Sequence, residues 1–208
     1  MPRHKTAISA PAPGSAHAED RREELARAAY ALIAEGGFEE LRTRAVAQRA
    51  GVNIATLHYY FPTKEALIRG VARYLATQFE TLRAPAGKRG DAAARLRREF
   101  ADAAFYLARR PEMIGVMREL NARARRDRAI SKIVEPMKDA WRNSIEAIIA
   151  AGLSEGVFQT GMPPRDAAGV IVALLWGAAT LPLPRDQLSH ARQAVEDWLT
   201  APAKRKSP

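Results

Sequence analysis

Hydrophobic residues recur along most of this chain at helical spacing. Between Glu19 and Glu35, the residues Leu25, Ala29, Leu32 and Ile33 fall on one stripe, behind a Glu- and Asp-rich opening that suits the positive end of a helix dipole. Gly36-Gly37 stops that helix, and Phe38 and Leu41 form an apolar lid joining it to the next segment. From Arg42 the pattern shortens. Val46 and Ala50 predict a short helix with Thr43 as its N-cap. Gly51 ends it, and Asn53 is placed to cap a second short helix whose inward residues are Leu57 and Tyr60. Pro62 breaks that helix. Thr63 then caps a long amphipathic one running through Ala66, Val71, Leu75, Phe79 and Leu82 to a loop at 84–90.

The remainder repeats the same period. Leu96, Phe100, Ala103 and Leu107 make one stripe, and Met113, Val116, Met117 and Leu120 a shorter one. A long stripe runs from Ile130 through Val134, Trp141, Ile145 and Ile149 and is closed by Gly152. No window alternates as a strand, so the fold class is all-α. Residues 167–184 carry no charge. Before Pro182 that helix is only about 15 residues, roughly 22 Å, against a hydrocarbon core of about 30 Å. It therefore reads as a buried helix in a protein with no membrane partner, packed against a second subunit or inside its own core. The amphipathic segment from Pro184 to Leu199 can complete a homodimer interface, which sets Val170, Leu174, Leu175, Leu188, Val195 and Trp198 as its expected residues.

The two short helices of residues 43–60 are too short to be stable alone and must share a core at a steep crossing, with Ala47 allowing close approach. Ile54, Ala55, Thr56, His58 and Tyr59 are left facing outward. That mixture of small, apolar and hydrogen-bonding groups at the start of a helix suits base edges and phosphates in a major groove. The plainer alternative is a solvated helical hairpin. Lys64 in the first turn of the following helix opposes the dipole unless a phosphate lies there, where backbone N–H groups and an ammonium converge.

Composition changes this picture little. The chain has 208 residues, enough for a good core, and no cysteine, which removes disulfides, thiolate zinc sites and thiol redox chemistry. Its formal net charge of +10 invites a nucleic-acid partner, yet residues 19–65 hold seven basic and eight acidic side chains. Overall basicity is thus weak support. What matters is where Arg42, Arg44, Arg49 and Lys64 point. Residues 1–18, rich in Ala, Pro and Ser, lack the apolar run of a signal peptide and read as a disordered tail, and 201–208 as a basic tail.

Catalysis has no support in the pattern. His4, His17, His58 and His190 show no metal-binding spacing, and neither a Gly-rich phosphate loop nor a nucleophile elbow is present. Glu112, Glu119 and Asp127 read as surface charge, so no catalytic residue, metal or cofactor is expected. A basic architectural protein binding DNA without sequence preference is the other rival, and the long helical body is excessive for that role.

Residues 25–68, LARAAYALIAEGGFEELRTRAVAQRAGVNIATLHYYFPTKEALI, resemble the TetR family of bacterial transcriptional regulators almost throughout. Past residue 68 the resemblance rests on helix order and on the run AAGLSEGVFQTGMPPRDAAGVIVALL. It implies about nine helices, a helix-turn-helix DNA-binding domain at 19–65, and a ligand-binding and dimerisation domain at 66–200. It further implies a cytoplasmic homodimer acting on double-stranded operator DNA, as a repressor released by a small-molecule effector. By matching position, Thr43, Tyr59 and Lys64 would hold phosphates, and Arg44, Asn53, Ile54, Ala55, Thr56 and His58 would lie at or near base edges. The family usually has an aromatic residue where this chain has His58 and a His where it has Tyr60. For the effector, Phe79, Phe105, Tyr106, Met113, Met117, Asn121, Trp141 and Trp176 are the large, adaptable or partly polar side chains that suit a drug-sized pocket, although such residues also build ordinary cores.

Overall fold

A computed structural model of the chain describes residues 13–82, 90–181 and 186–201. The expected tails at 1–12 and 202–208 lie outside these residues. Among the described residues there are nine α-helices, one 3-10 turn and no strand, which is the all-α class that the periodicity predicts. The helices are α1 (Pro13–Gly36), α2 (Thr43–Arg49), α3 (Ile54–Tyr60), α4 (Lys64–Leu82), α5 (Ala92–Arg109), α6 (Pro111–Ala124), α7 (Arg128–Ser154), α8 (Pro164–Thr180) and α9 (Gln187–Thr200). The chain divides into two compact units, Met1–Tyr74 and Leu75–Pro208.

In the first unit, α1 starts six residues before the expected Glu19, so 13–18 are helix and the acidic residues occupy its interior rather than its first turn. Leu25, Ala29 and Ile33 are buried as their spacing requires, and Phe38 and Leu41 are buried beside them. Leu67, Ile68 and Val71 of α4 are buried too. Their burial is why the unit runs to Tyr74 and not to residue 65: the first part of α4 is needed to cover the core. Phe61 is 8% exposed, and its ring lies where a Cβ on Gly70 would stand, 2.7 Å from that position. That close approach anchors the end of α3 to α4.

In the second unit, one core joins α5, α7, α8, α9 and Phe158. It contains Leu96, Phe100, Ile145, Ile149, Ile171, Leu175, Val195 and Leu199. The long helix α7 continues through Pro136 and past Gly152 to Ser154. The residue that ends it is Gly156, at φ +71°, and not Gly152. Gly152 is instead a contact point: the carbonyl oxygen accepts from the backbone N–H of Val157 and Phe158 at 2.9 and 3.0 Å, which brings the Phe158 ring over the glycine.

The helix α8, uncharged from Ala167 onward, buries Ala167, Ala168, Ile171, Leu175 and Ala178 within this unit. Leu175 and Val195 are 2% and 4% exposed, and Leu174, Leu188 and Trp198 pack against the same core. Leu175 and Val195 thus belong to the core of their own chain, while Leu174, Leu188 and Trp198 are half-buried against it. Val170 is the exception, at 47% exposed. No helix among the described residues is long and apolar enough to cross a membrane.

Candidate nucleic-acid interface

The turn between α2 and α3 is set by two residues. Gly51 takes φ +65°, a conformation that strains residues with a Cβ, and Val52 N–H then bonds back to the Ala47 carbonyl at 2.9 Å. Asn53 caps α3 as expected, its Oδ1 accepting from the Thr56 backbone N–H at 2.7 Å and from the Thr56 hydroxyl at 2.9 Å. Thr43 does not cap α2. It is the first helical residue, the cap position belongs to Arg42 with no side-chain bond, and the Thr43 hydroxyl stays exposed. A residue already inside the helix points its hydroxyl away from the free N–H groups of the first turn.

With Val46, Ala47 and Leu57 buried, α3 can turn only its other residues outward. Ile54 is 38% and Tyr59 79% exposed, Ala55 and His58 are exposed, and Thr56 is half-buried in its bond with Asn53. Tyr59 stacks edge-on against the half-buried Tyr60, centroids 5.0 Å apart. An exposed Ile and a mostly exposed Tyr on one seven-residue helix leave apolar surface that a groove can cover.

The four cations of this region are not equivalent. Arg49 makes a two-pronged pair with Glu35, at 2.6 and 2.5 Å, tying α2 to α1. The hydrogen bonds from Arg49 hold the Glu35 carboxyl below the ordinary carboxylate range and raise Arg49 correspondingly. With a depressed folded-state value, this pair supports the fold above the ordinary carboxylate range and loses that support as pH falls through the lowered value. Arg42 Nε bonds the Glu39 carbonyl at 3.2 Å. Arg44 and Lys64 are exposed and make neither hydrogen bond nor ion pair among the described residues. Two of the four are thus bonded within the fold, and two are not.

Lys64 opens α4 behind Thr63, whose hydroxyl accepts from the Ala66 N–H at 3.1 Å. Between the start of α2, the end of α3 and the start of α4 lies a hollow of about 40 Å³, lined by Leu41, Thr43, Leu57, His58, Phe61, Thr63, Lys64 and Leu67. Two hydroxyls, an imidazole and an ammonium share it above an apolar floor. Residues distant in sequence, from Thr43 to Lys64, are brought together here.

The candidate effector residues disperse over the second unit. Phe79, Phe105 and Tyr106 form an edge-to-face aromatic group at centroid distances of 4.9 and 5.7 Å, and the Tyr106 hydroxyl donates to the Phe79 carbonyl at 3.3 Å. Phe105 is 42% exposed and Met113 is fully buried core. Asn121 donates its amide to the Met117 carbonyl of its own helix at 2.9 Å. Trp176 is half-buried on α8. Trp141 donates its indole N–H to Glu99 Oε2 at 3.2 Å. Glu99 is the residue that sequence reasoning missed. Among the described residues it is the buried charged side chain, 8% exposed. Its charged neighbours disguise it, yet Leu96, Glu99, Phe100 and Ala103 carry the spacing of one helix face.

Residues 25–71 match the family model for bacterial regulatory proteins, tetR family. Over 64 residues the chain is 41% identical to the HTH-type transcriptional repressor KstR of Rhodococcus jostii (strain RHA1), a stretch covering 31% of this chain and 29% of that repressor. The chain thus spans under a third of the length of this curated relative. At the level of the whole fold, it superimposes on the crystal structure of a transcriptional regulator from Rhodococcus sp. Rha1 with a TM-score of 0.70 and 26% identity, covering 86% of this chain and 95% of the other. It also matches a transcriptional regulator from Saccharomonospora viridis in complex with choline, at a TM-score of 0.73 and 22% identity, covering 86% and 95%. The relatives and structures named here are transcriptional regulators.

Proposed function

We propose, for a chain that carries the DNA-binding domain of the TetR family and shares the helical fold of its regulators, that it is a cytoplasmic homodimeric repressor which leaves a palindromic operator when a small molecule binds its second unit. The observation that carries the DNA-binding half is the division of cations. Arg49 and Arg42 are tied into the fold, while Arg44 and Lys64 are exposed and carry no hydrogen bond or ion pair among the described residues. Lys64, at a helix start beside two hydroxyls, suits a phosphate, and Arg44 suits a base edge. Lys64→Ala is expected to weaken binding to all sequences alike and to lower the salt dependence. Arg44→Ala is expected to relax preference at one base pair per half-site, at about 1–3 kcal/mol. Binding curves on an operator obtained by selection and on random duplex check this. Equal losses on both DNAs for Arg44→Ala would remove it from base readout.

The homodimer reading rests on the outer face of α8. Val170 is exposed there, and Gly169 and Gly177 have nothing within 4 Å of where a Cβ would stand, so a second α8 can approach closely. A symmetric pair of α8 helices gives the twofold that a palindromic site mirrors.

The effector reading is supported by the large adaptable side chains of the second unit, by Glu99 as a polar anchor beside Trp141, and by the choline bound to the S. viridis regulator of the same fold. The helix α4 starts with Lys64 and continues to Phe79 in the second unit, so repacking around Phe79 acts on the helix that carries a phosphate contact. Paired recognition helices must enter the groove about 34–36 Å apart, and small changes in separation cost contacts on both half-sites. A ligand releases DNA only through differential affinity for the two states, and a coupling of about 1–3 kcal/mol gives roughly 5–150-fold release. With a ligand found by thermal shift, operator affinity should fall by that factor at fixed salt, and operator DNA should weaken the ligand equally. A saturating ligand in the second unit that left operator affinity unchanged would end the repressor mechanism for that ligand.

A further inference from the structure

We propose that His58 makes DNA binding by this protein proton-linked, so that DNA is held more tightly as pH falls through the range in which imidazoles titrate. This rests on the DNA-binding reading above and adds a regulation to the same site. His58 occupies the last turn of α3 with its side chain exposed, and it lines the hollow shared with Thr43, Thr63 and Lys64. The groups that face it across that hollow are few. The approach to α2 contributes Leu41 and Thr43, its own helix and the turn beyond contribute Leu57 and Phe61, and Thr63, Lys64 and Leu67 come from the start of α4. Lys64 is the other titratable group among these lining residues, and no carboxylate is among them.

A hollow lined by a lysine, two threonines and a histidine, with no carboxylate among its lining residues, is matched to an anion. Its apolar floor of Leu41, Leu57, Phe61 and Leu67 limits solvation of whatever charge enters. Imidazole is the side chain that changes charge between about pH 5 and 8. Its protonated form adds a second positive charge and a further N–H donor to this lining, from which an anionic phosphate oxygen can accept a charge-assisted hydrogen bond. A ligand that binds the protonated form better draws protons onto the protein as it binds, so its affinity rises toward acid. The contact is to the DNA backbone, which makes the effect independent of sequence.

The experiment uses the full chain and a random-sequence duplex of about 30 base pairs, with fluorescence anisotropy at fixed ionic strength between about pH 6 and pH 8. Wild-type affinity should rise by at least about threefold toward the acid end for each half-site engaged, within the tenfold per pH unit that one proton permits. His58→Gln keeps a neutral donor and should lose this slope while retaining the fold by circular dichroism. Lys64→Ala should bind more weakly at every pH and keep the slope. A wild-type profile without slope, or a His58→Gln profile that keeps the wild-type slope, overturns the proton linkage alone. Absence of DNA binding at every pH overturns the DNA-binding reading and the linkage with it.

Discussion

Leu175→Asp should abolish the folded second unit, whereas Val170→Asp, five residues away on the same helix, should leave it folded and separate the subunits. Leu175 is 2% exposed within the core formed by α5, α7, α8 and α9. Replacing it removes a buried leucine, at about 2–5 kcal/mol, and brings in a carboxylate with no polar partner, at a further several kcal/mol. The sum is comparable with the roughly 5–15 kcal/mol that holds a domain folded. Val170 is 47% exposed, so an aspartate there stays hydrated in the single subunit and disturbs only a surface that a second α8 would cover. Light scattering at micromolar concentration, with circular dichroism alongside, separates the two outcomes. A Val170→Asp protein that remained a dimer would remove the outer face of α8 from the interface.

Gly152→Ala should destabilise the second unit by about 3 kcal/mol, opposite in sign to what helix propensity predicts. In an ordinary helix interior this change stabilises by roughly 0.5–1 kcal/mol. Here a Cβ would stand 2.0, 2.4 and 2.8 Å from three ring carbons of Phe158. The ring cannot swing away, because Phe158 is 2% exposed within the core and its backbone N–H is fixed to the Gly152 carbonyl. Gly156→Ala is the contrasting variant. Nothing lies within 4 Å of its Cβ position, and the cost is that of φ +71° alone, about 1 kcal/mol. Trp141, Trp176 and Trp198, the three tryptophans of the chain, all lie in the second unit, so fluorescence in a denaturant titration reports on that unit. A Gly152→Ala variant as stable as wild type would mean that Phe158 does not pack on α7 as described.

The sequence by itself determined the helices and much of the proposed reading head, because those features depend on near neighbours. A helical period needs only the chain itself. The α2–α3 turn depends on Gly51, which takes the left-handed conformation, and on Asn53, whose cap reaches three residues along. The outward set on α3 comes from Leu57 being buried. What only the tertiary structure decided is what each face meets. Arg49 and Arg44 look alike in sequence, and the difference between them is Glu35, fourteen residues away on another helix. Glu99 sits in a charged run, and the indole that donates to it, Trp141, lies forty-two residues on. The stripe of α8 could cover a partner subunit or its own core, since periodicity fixes which side chains share a face and is silent on the surface opposite. The neighbours α5, α7 and α9 cover that stripe, while Val170 stays exposed and nothing stands within 4 Å of a Cβ at Gly169 or Gly177. Likewise, the first unit extends to Tyr74 because its core needed Leu67, Ile68 and Val71, a requirement of volume that no local pattern records.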